Sequence, residues 1–278
     1  MNKKLSIVRL VNGMGGMAFE FFSMLMVCNL YPFGLKKEND PSLLSYQNHK
    51  RPILLIHGIF HNHSAFFKIK RELLRHGWDK IYTINLSTYS QGIEDLAILT
   101  EKKIDAILEQ TKADKVDIIA HSLGGIIARY TIQMLTGHQK VKHCITLGTP
   151  HQGTFISKMG IGKSIKELRP TSGVIKKLNS KPLPKSVSFI SFWSPFDMMV
   201  WPSRYAQIKD DSKTDSHIQN IEVPFAGHAG LLFSKEVFYK IATILDDGRR
   251  YPILIEHGQK PRTSRSLIAR LTLRSDAS

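Results

Sequence analysis

Three residues of the types that together turn a hydroxyl into a nucleophile follow one another along the chain: Ser122, Asp197 and His228. A serine hydroxyl is a poor nucleophile at neutral pH, so it needs a histidine to accept its proton and a carboxylate to orient that histidine. Ser122 lies in Ala120-His-Ser-Leu-Gly124, a variant of G-x-S-x-G with alanine first. Small flanking residues let a strand and a helix pack closely at a sharp turn that exposes the hydroxyl. The motif predicts a nucleophilic serine, although taken alone it fits a helix N-cap equally well.

Asp197 is the candidate acid of this set. It is a single carboxylate in the apolar loop Trp193–Val200, directly after a predicted strand. The alternative is that it is a turn residue following proline. The aspartates at positions 210, 211 and 215 lie among lysines and are interpreted as solvated surface charges.

His228 is the candidate base, because it follows the last predicted strand and is flanked by glycines that permit close approach. His217 lies among polar residues at a strand start, and His151 precedes the acid in sequence, so both are poorer candidates. His61 and His63 belong to a loop and form no complete metal site, and no metal is predicted.

Acyl transfer also requires hydrogen-bond donors for the oxyanion of the tetrahedral intermediate. The backbone N–H of Leu123, at the start of the helix, is one expected donor. The second is expected from Ile59, in the loop after an apolar strand, where the preceding Gly58 permits the turn. A further group of residues is expected to line the substrate pocket: His57, Gly58, Phe60 and His121.

A parallel sheet is the element that would bring these residues together, because sites form at the carboxyl ends of its strands. The sequence predicts strands over residues 52–56, 80–86, 116–120, 141–147, 186–192 and 217–223. It predicts helices over residues 65–76 and 93–111, from the sharp turn at Ser122 (the elbow) to about residue 135, and over residues 233–245. Alternation at this interval predicts a mostly parallel sheet with helices on both faces, formed by residues 51–247. Residues 155–185 interrupt the alternation and are interpreted as an amphipathic cover over the pocket.

Residues 1–37 differ in composition from this domain. Basic residues near the start precede an apolar stretch over residues 10–31, a pattern typical of a signal peptide or a membrane anchor. Glu20 interrupts the stretch, and no small-residue cleavage site follows it. We predict a membrane-associating helix that spans the bilayer or lies in its surface; the alternative is an extra helix packed on the domain. Residues 38–50 are polar and are interpreted as a linker.

The overall charge is strongly positive, with 39 basic and 23 acidic residues and a formal net charge of +16. Such a charge attracts polyanions, either nucleic acid or an anionic membrane surface. The sequence contains no nucleic-acid-binding module, so we do not predict a nucleic-acid partner, and a solvated basic surface is equally consistent. The basic tail over residues 248–278 is expected to be loosely ordered and to favour anionic lipid head groups. Two cysteines provide no disulfide framework.

Several stretches together resemble the bacterial triacylglycerol lipases of the lipase A kind, which are serine esterases of the α/β-hydrolase superfamily. Pro52–Ile59 resembles their oxyanion loop, and Ala120–Gly125 resembles their elbow, including its alanine variant. Cys144–Thr154 resembles their T-L-G-T-P-H-x-G-T stretch, and Thr171–Asn179 resembles part of their substrate-covering region. The resemblance extends over residues 51–246 and implies an α/β-hydrolase fold.

The resemblance implies a serine carboxylic-ester hydrolase that acts on lipid esters through an acyl-enzyme, without a cofactor. Some larger members of the family bind structural calcium near the base, but no acidic cluster surrounds Asp197 or His228 in the sequence. Two alternatives remain open. An acyltransferase or phospholipase would use the same three residues, and a non-catalytic lipid-binding protein could retain the fold.

Overall fold

A parallel sheet of six strands is the centre of the molecule. The computed structural model describes residues 3–35, 50–209 and 217–247, with the backbone alone for residues 3–14. The strands are β1 Ile53–Ile56, β2 Ile81–Ile84, β3 Val116–His121, β4 Val141–Leu147, β5 Ser188–Trp193 and β6 Ile218–Glu222. Their order is β2-β1-β3-β4-β5-β6, and every neighbouring pair is parallel. The predicted strands and the parallel sheet are confirmed.

The helices are α1 Lys3–Leu30, α2 Phe67–Arg75, α3 Ile93–Thr111, α4 Leu123–Met134, α5 Gly137–Lys140, α6 Lys163–Glu167, α7 Gly173–Ser180 and α8 Lys235–Leu245. The helix predicted to begin at residue 65 instead begins as the 3₁₀ turn His63–Phe66, where the Asn62 side chain accepts the Ser64 N–H. By its contacts the chain divides into two units, Met1–Phe238 and Tyr239–Ser278. The first unit contains the sheet, helices α1–α7 and every residue discussed below.

The sheet is apolar because its central strands are covered on both faces. All residues of β1 and β3 are buried. One face packs against α3 and α4, where Leu54, Ile56 and Ile118 join a single buried cluster with Leu96 and Ile127. Fully burying one such side chain is worth about 1.5–3 kcal/mol, so this cluster fixes which face of each strand points inward.

The register aligns the carboxyl ends of the strands that precede the candidate residues. Ile56 pairs with Ala120, His121 pairs with Leu147, and Leu147 pairs with Phe192. The loops after β1, β3, β4 and β5 therefore leave the sheet side by side. This edge is where ligand sites form in parallel α/β sheets.

Three sequence predictions fall on parts of the chain outside the described residues. They are the linker over 38–50, apart from its last residue, the solvated aspartates at 210, 211 and 215, and the basic tail over 248–278. Helix α1 falls within the region predicted to associate with membranes. The stretch Gly15–Gly34, formed by the second half of α1 and the 3₁₀ turn Tyr31–Gly34, is long and apolar enough to cross a bilayer by length and composition. Signal sequences and buried core helices also meet this criterion.

Candidate active site

Ser122 lies at the sharp turn between β3 and α4. Its backbone has φ 54° and ψ −124°, a sparsely populated conformation that costs of order 1–3 kcal/mol for a residue with a side chain. The Ser122 N–H donates to the Leu147 carbonyl at 2.9 Å, which ties the turn to the neighbouring strand. A Cβ on Gly124 would overlap the Ile56 carbonyl and lie 2.6 Å from the His57 carbonyl. Glycine is therefore required two residues after the serine.

Thr149 holds the other side of the elbow. Its hydroxyl donates to the Ser122 carbonyl at 2.9 Å. A Cβ on Gly125 would collide with the Thr149 side chain. Gly125 and Thr149 thus form one close contact between the turn and the loop after β4. This contact explains why glycine and threonine occur in the stretches Ala120–Gly125 and Cys144–Thr154.

Asp197 and His228 form a buried acid–base pair. The His228 Nδ1–H donates to Asp197 Oδ2 at 2.8 Å. The other carboxylate oxygen, Oδ1, accepts the N–H groups of Met199 and Val200, both at 2.9 Å. Asp197 is therefore a turn residue and the partner of His228 at once, so the two interpretations of this residue are compatible. With Nδ1 carrying the proton, Nε2 of His228 is left to act as the acceptor.

His228 is more basic than its buried position alone would allow. Burial by itself lowers the pKa of this imidazole, but the charge of Asp197, the hydrogen bond to it and the charge of Glu20 together raise the pKa above the usual value of 6.5. A raised pKa suits a group that must take a proton from a hydroxyl.

Gly148 lies directly beneath this pair, at the carboxyl end of β4. Its φ is 56°, and a Cβ there would lie 3.0 Å from both Asp197 Oδ2 and His228 Nδ1. Glycine is needed for both reasons, backbone conformation and space. The sequence analysis assigned no role to this residue, although it belongs to the T-L-G-T-P stretch.

Ser122 and His228 line one cavity of about 450 Å³. Four of the residues predicted around the nucleophile line it as well: Gly58, Ile59, Phe60 and His121. Its walls are otherwise mostly apolar and come from α1 and from residues 155–185, including Met24, Val27, Ile156, Met159, Ile165 and Leu168. The cavity therefore combines the candidate nucleophile and the candidate base with an apolar chamber.

The two expected oxyanion donors lie beside the nucleophile. Leu123 is the first residue of α4, and Ile59 lines the cavity. In the described part of the chain, neither N–H donates to another protein group. The next N–H, that of Phe60, is already committed to the Thr88 hydroxyl at 3.3 Å. Gly58 is confined, because a Cβ on it would lie 2.9 Å from the Ser122 Cβ.

His57 does not line the cavity, contrary to its assignment to the substrate pocket. Its side chain is completely buried, with Nδ1 against the Gly58 carbonyl at 2.8 Å and Nε2 accepting the Leu86 N–H at 2.8 Å. Burial lowers its pKa to about 4, so the ring is neutral. Both ring nitrogens are used to fix the loop after β1, and His57 supports that loop instead of contacting a substrate.

Comparison with known proteins agrees with the topology. A family model described as "alpha/beta hydrolase fold" matches residues 51–165. The mature form of the Bacillus licheniformis lipase BlEst2 superposes with a TM-score of 0.60 at 16% identity, over 76% of this chain and 96% of that chain. The Aspergillus fumigatus lipase B superposes with a TM-score of 0.63 at 16% identity, over 72% of this chain and 53% of that chain. This chain has the α/β-hydrolase fold.

Two curated relatives extend the likeness to sequence. A triacylglycerol lipase of Pseudarthrobacter phenanthrenivorans is 32% identical over 123 residues, and one of Burkholderia plantarii is 32% identical over 137 residues. The matches cover 40% and 44% of this chain. The chain spans 36% of the length of each of these relatives.

Within the described ranges of the chain, two further buried histidines of this α/β-hydrolase fold, His151 and His121, have no carboxylate partner. His151 is fully buried, with Nε2 3.0 Å from the Thr146 hydroxyl and Nδ1 3.4 Å from the Arg129 guanidinium. His121 Nε2 contacts the His228 carbonyl at 3.3 Å, and its ring centroid is 4.7 Å from that of His228. Burial lowers the pKa of both His121 and His151 well below the usual value. Neither has a carboxylate to raise its basicity.

Glu20 is the polar residue of this α/β-hydrolase fold whose role the sequence did not reveal. It was noted only as a charge that interrupts an apolar stretch. In the structure its carboxylate accepts the backbone N–H groups of Ala229 and Gly230, at 2.9 and 2.8 Å. A lone acid within an apolar helix was the available signal, but nothing in the sequence showed which groups it would contact.

Among the described residues, no group of three or more metal-ligating side chains occurs.

Proposed function

We propose that this protein is a serine carboxylic-ester hydrolase acting on lipid esters, a lipase or esterase that works through an acyl-enzyme. The observation that carries the proposal is the meeting of three features at one cavity: Ser122 on a strained turn, His228 bonded to Asp197, and apolar walls. The curated relatives named as triacylglycerol lipases support the same chemistry.

In the proposed mechanism, His228 Nε2 takes the hydroxyl proton as Ser122 Oγ attacks the ester carbonyl. The N–H groups of Ile59 and Leu123 stabilise the resulting oxyanion. Collapse of the tetrahedral intermediate breaks the ester bond, and the alcohol leaves with the proton from His228. Water then attacks the acyl carbon as His228 takes one of its protons, the bond between the acyl group and Ser122 Oγ breaks, and His228 returns the proton to Oγ as the carboxylic acid leaves. Asp197 holds the imidazole in the useful tautomer and stabilises its charged form.

The shape and lining of the cavity favour esters with an apolar acyl chain. A chamber of about 450 Å³ next to the nucleophile is walled by methionine, isoleucine and leucine side chains. Burying a hydrocarbon chain against such walls is worth about 0.8 kcal/mol per methylene group. We therefore infer that each added methylene strengthens binding until the chamber is filled.

Residues 155–185 are proposed to cover this chamber. They contain α6 and α7, and Ile156, Met159 and Ile165 line the cavity. One side of the segment is held by α3, where Glu167 accepts the Ile93 N–H at 2.6 Å. Met159 and Ile161 of this segment are 85% and 72% exposed, so the proposed cover presents neighbouring apolar side chains at the surface.

The protein is also proposed to lie at a membrane surface through α1. Large apolar side chains of this helix are exposed: Met17, Phe21, Phe22 and Leu25. The opposite side of the helix is bonded to the domain through Glu20. A helix crossing the bilayer would have to give up those bonds and take a carboxylate into hydrocarbon. The docked helix favours lying in the interface over spanning.

The test of the enzymatic proposal is hydrolysis of p-nitrophenyl esters of increasing acyl length by the wild type and by Ser122→Ala. We expect activity to rise with chain length and to fall by about 10⁴-fold in the variant. A fluorophosphonate should label Ser122 in the wild type alone. Labelling without hydrolysis would favour an acyltransferase, which needs another acceptor. The absence of both labelling and hydrolysis would support the alternative of a lipid-binding protein that has kept the fold.

A further inference from the structure

Helix α1 meets the domain along a narrow stripe of its surface. The stripe consists of Gly16, Glu20, Ser23 and Val27, which recur at intervals of four, three and four residues and so share one helix face. Gly16, Ser23 and Val27 are buried, whereas their neighbours Phe21 and Phe22 and the other side of the helix are exposed. A contact stripe of small residues around a single acid indicates a fixed docking position.

The acid of this stripe binds the turn that carries the base. Glu20 Oε1 accepts the Ala229 N–H at 2.9 Å, and Oε2 accepts the Gly230 N–H at 2.8 Å. These are the two residues immediately after His228. Gly230 begins the 3₁₀ turn Gly230–Leu232. Bonds from N–H groups to an ionised carboxylate are about twice as strong as neutral ones.

The glycines around His228 provide the space for this contact. Gly227 has φ 67°, and a Cβ on it would collide with the Glu20 carboxylate. A Cβ on Gly230 would lie 2.9 Å from the Phe19 ring. On the helix side, a Cβ on Gly16 would lie 2.9 Å from the Cβ of Phe225. The glycines that mark the base in the sequence therefore permit the approach of α1.

Helix α1 then continues along the cavity. Met24, Val27 and Cys28, about one to two turns beyond Glu20, line the chamber that contains Ser122. The end of the helix is held as well, since the Tyr31 carbonyl accepts the Asn62 side-chain amide at 2.9 Å. The helix is fixed at both ends of the segment that contacts the chamber.

We propose that α1 is an integral part of the active site: Glu20 is a positioning residue for His228, and Met24, Val27 and Cys28 form one wall of the acyl chamber. This inference rests on the proposed ester hydrolase function. It differs from the reading of this segment as a detachable leader or a simple anchor, because removing the helix would open the chamber and release the turn that carries the base.

The charge of Glu20 raises the pKa of His228, an effect that a residue with a purely structural role would not have. The groups around the His228 ring are Asp197 after β5, Glu20 on α1, His121 at the end of β3 and His61 in the loop after β1. Burial lowers the pKa of His61 and of His121, so both are protonated less readily than a free imidazole, whereas the charges of Asp197 and Glu20 raise the pKa of His228. Neutralising Glu20 should therefore shift the acidic side of the pH–rate profile to lower pH.

The first experiment compares Glu20→Gln with Glu94→Gln, which neutralises an exposed carboxylate on α3. For a short, soluble ester we expect Glu20→Gln to lower kcat by about 10- to 100-fold with little change in KM, because a base displaced by less than 1 Å loses activity on that scale. The acidic midpoint should move to lower pH. Glu94→Gln should match the wild type in both respects, and thermal melting of each variant checks that it is folded.

The second experiment needs no substitution in the tested protein. Of the two cysteines, Cys28 is exposed and lines the chamber, whereas Cys144 is buried and its burial raises the pKa of the thiol to about 12. Benzyl methanethiosulfonate should therefore modify Cys28 selectively, as a mixed disulfide that places a benzyl group on the chamber wall. We expect hydrolysis of long-chain esters to fall at least five-fold relative to short-chain esters, with reversal by dithiothreitol. Cys28→Ser should be insensitive.

The outcomes separate this inference from the proposed function. If the wild type hydrolyses esters through Ser122 but Glu20→Gln behaves like Glu94→Gln, Glu20 does not position the base. Complete modification of Cys28 with an unchanged chain-length profile would exclude α1 from the chamber wall. If the unmodified wild type neither hydrolyses esters nor reacts with a fluorophosphonate, the enzymatic proposal itself fails.

Discussion

At the scale of single residues, one imidazole of the site, that of His228, has a raised pKa, whereas the pKa values of its neighbours are lowered. His57, His61 and His121 are close to the nucleophile, and burial lowers the pKa of each. His228 is also buried, but among these four rings in the described part of the chain it is the one bonded to a carboxylate, that of Asp197. The region therefore contains one basic ring among several neutral ones, and only that ring is suited to accept the hydroxyl proton.

The pH dependence of hydrolysis should report this basicity. His228 must be neutral to accept a proton, so kcat/KM should fall as the pH drops through its pKa. Because that pKa is raised, we expect the acidic midpoint above 6.5. Asp197→Asn should lower the pKa of His228 and cost about 10⁴-fold in kcat, because the tautomer is no longer fixed. A pH–rate profile measured between pH 5 and about 9 tests both statements. A midpoint below 6.5 in the wild type would contradict them.

Gly148→Ala should damage catalysis more than stability. The added methyl would lie 3.0 Å from both Asp197 Oδ2 and His228 Nδ1, so the pair must separate or shift. We expect kcat to fall by about 100-fold, with a loss of roughly 1–2 kcal/mol in the free energy of unfolding from the positive φ. Gly173→Ala is the matched control, since a Cβ there meets nothing within 4 Å. Equal activity of the two variants would show that the site tolerates the methyl group.

At the scale of elements, a buried arginine ties α4 to α7 and to the loop after β4. Arg129 is 3% exposed, and its guanidinium donates to the carbonyls of His151 and Leu178 and to the Asn179 side chain. Burial lowers its pKa to about 10, so it remains charged at neutral pH. Because α4 begins at the nucleophile and α7 belongs to the proposed cover, this residue links the two.

Arg129→Met should destabilise the fold while leaving the reacting groups in place. The substitution leaves the carbonyls of His151 and Leu178 and the Asn179 side chain without their hydrogen-bond donor. We therefore expect the free energy of unfolding to fall by roughly 3 kcal/mol. Arg75→Met is the control, because Arg75 is exposed on α2 and, among the described residues, its ion pair is with nearby Glu72 at the surface. That variant should change stability by less than about 1 kcal/mol. Urea denaturation measures both, and similar midpoints would mean that the network carries little stability.

At the scale of the whole molecule, apolar side chains around the chamber and on α1 are exposed on a strongly basic protein. Phe60, Met159 and Trp201 are more than half exposed, as is Phe21 on α1. The formal net charge of +16 adds attraction to anionic head groups. Both properties favour binding to an anionic lipid surface.

Flotation with vesicles containing anionic lipid should test this binding. Phe21→Ser combined with Phe22→Ser removes two exposed apolar side chains and should reduce the bound fraction by at least ten-fold, while hydrolysis of a soluble ester is retained. Ile98→Ser combined with Leu99→Ser is the control, because these residues are exposed on α3. Carbonate extraction adds a second readout: a helix lying in the interface is released, and a spanning helix is retained. Equal flotation of both variants would argue against α1 as the lipid contact.

Much of the fold could be predicted from the sequence, because strands that are buried on both faces have continuous runs of apolar residues. β4 and α3 were predicted with the observed bounds, Val141–Leu147 and Ile93–Thr111. The order of Ser122, Asp197 and His228 followed from the same topology, since each lies after a parallel strand.

The remainder depended on contacts that no local pattern encodes. His57 looked like a pocket residue, but its two ring nitrogens are used by Gly58 and by Leu86, which is 29 residues away. The role of Gly148 required the positions of two side chains from later loops. Glu20 required knowledge of which surface α1 would meet.

The bonds between Glu20 and the turn after His228 join groups that are 209 and 210 residues apart. Ribosomes add about 5–20 residues per second, so this turn is made roughly 10–40 s after α1. Throughout that interval α1 has no partner turn, and the chamber has no base. If the enzyme acts on lipid esters as proposed, its activity appears only after the turn that carries His228 has been made, and translation products that stop before this turn cannot attack the lipids of the cell that makes them.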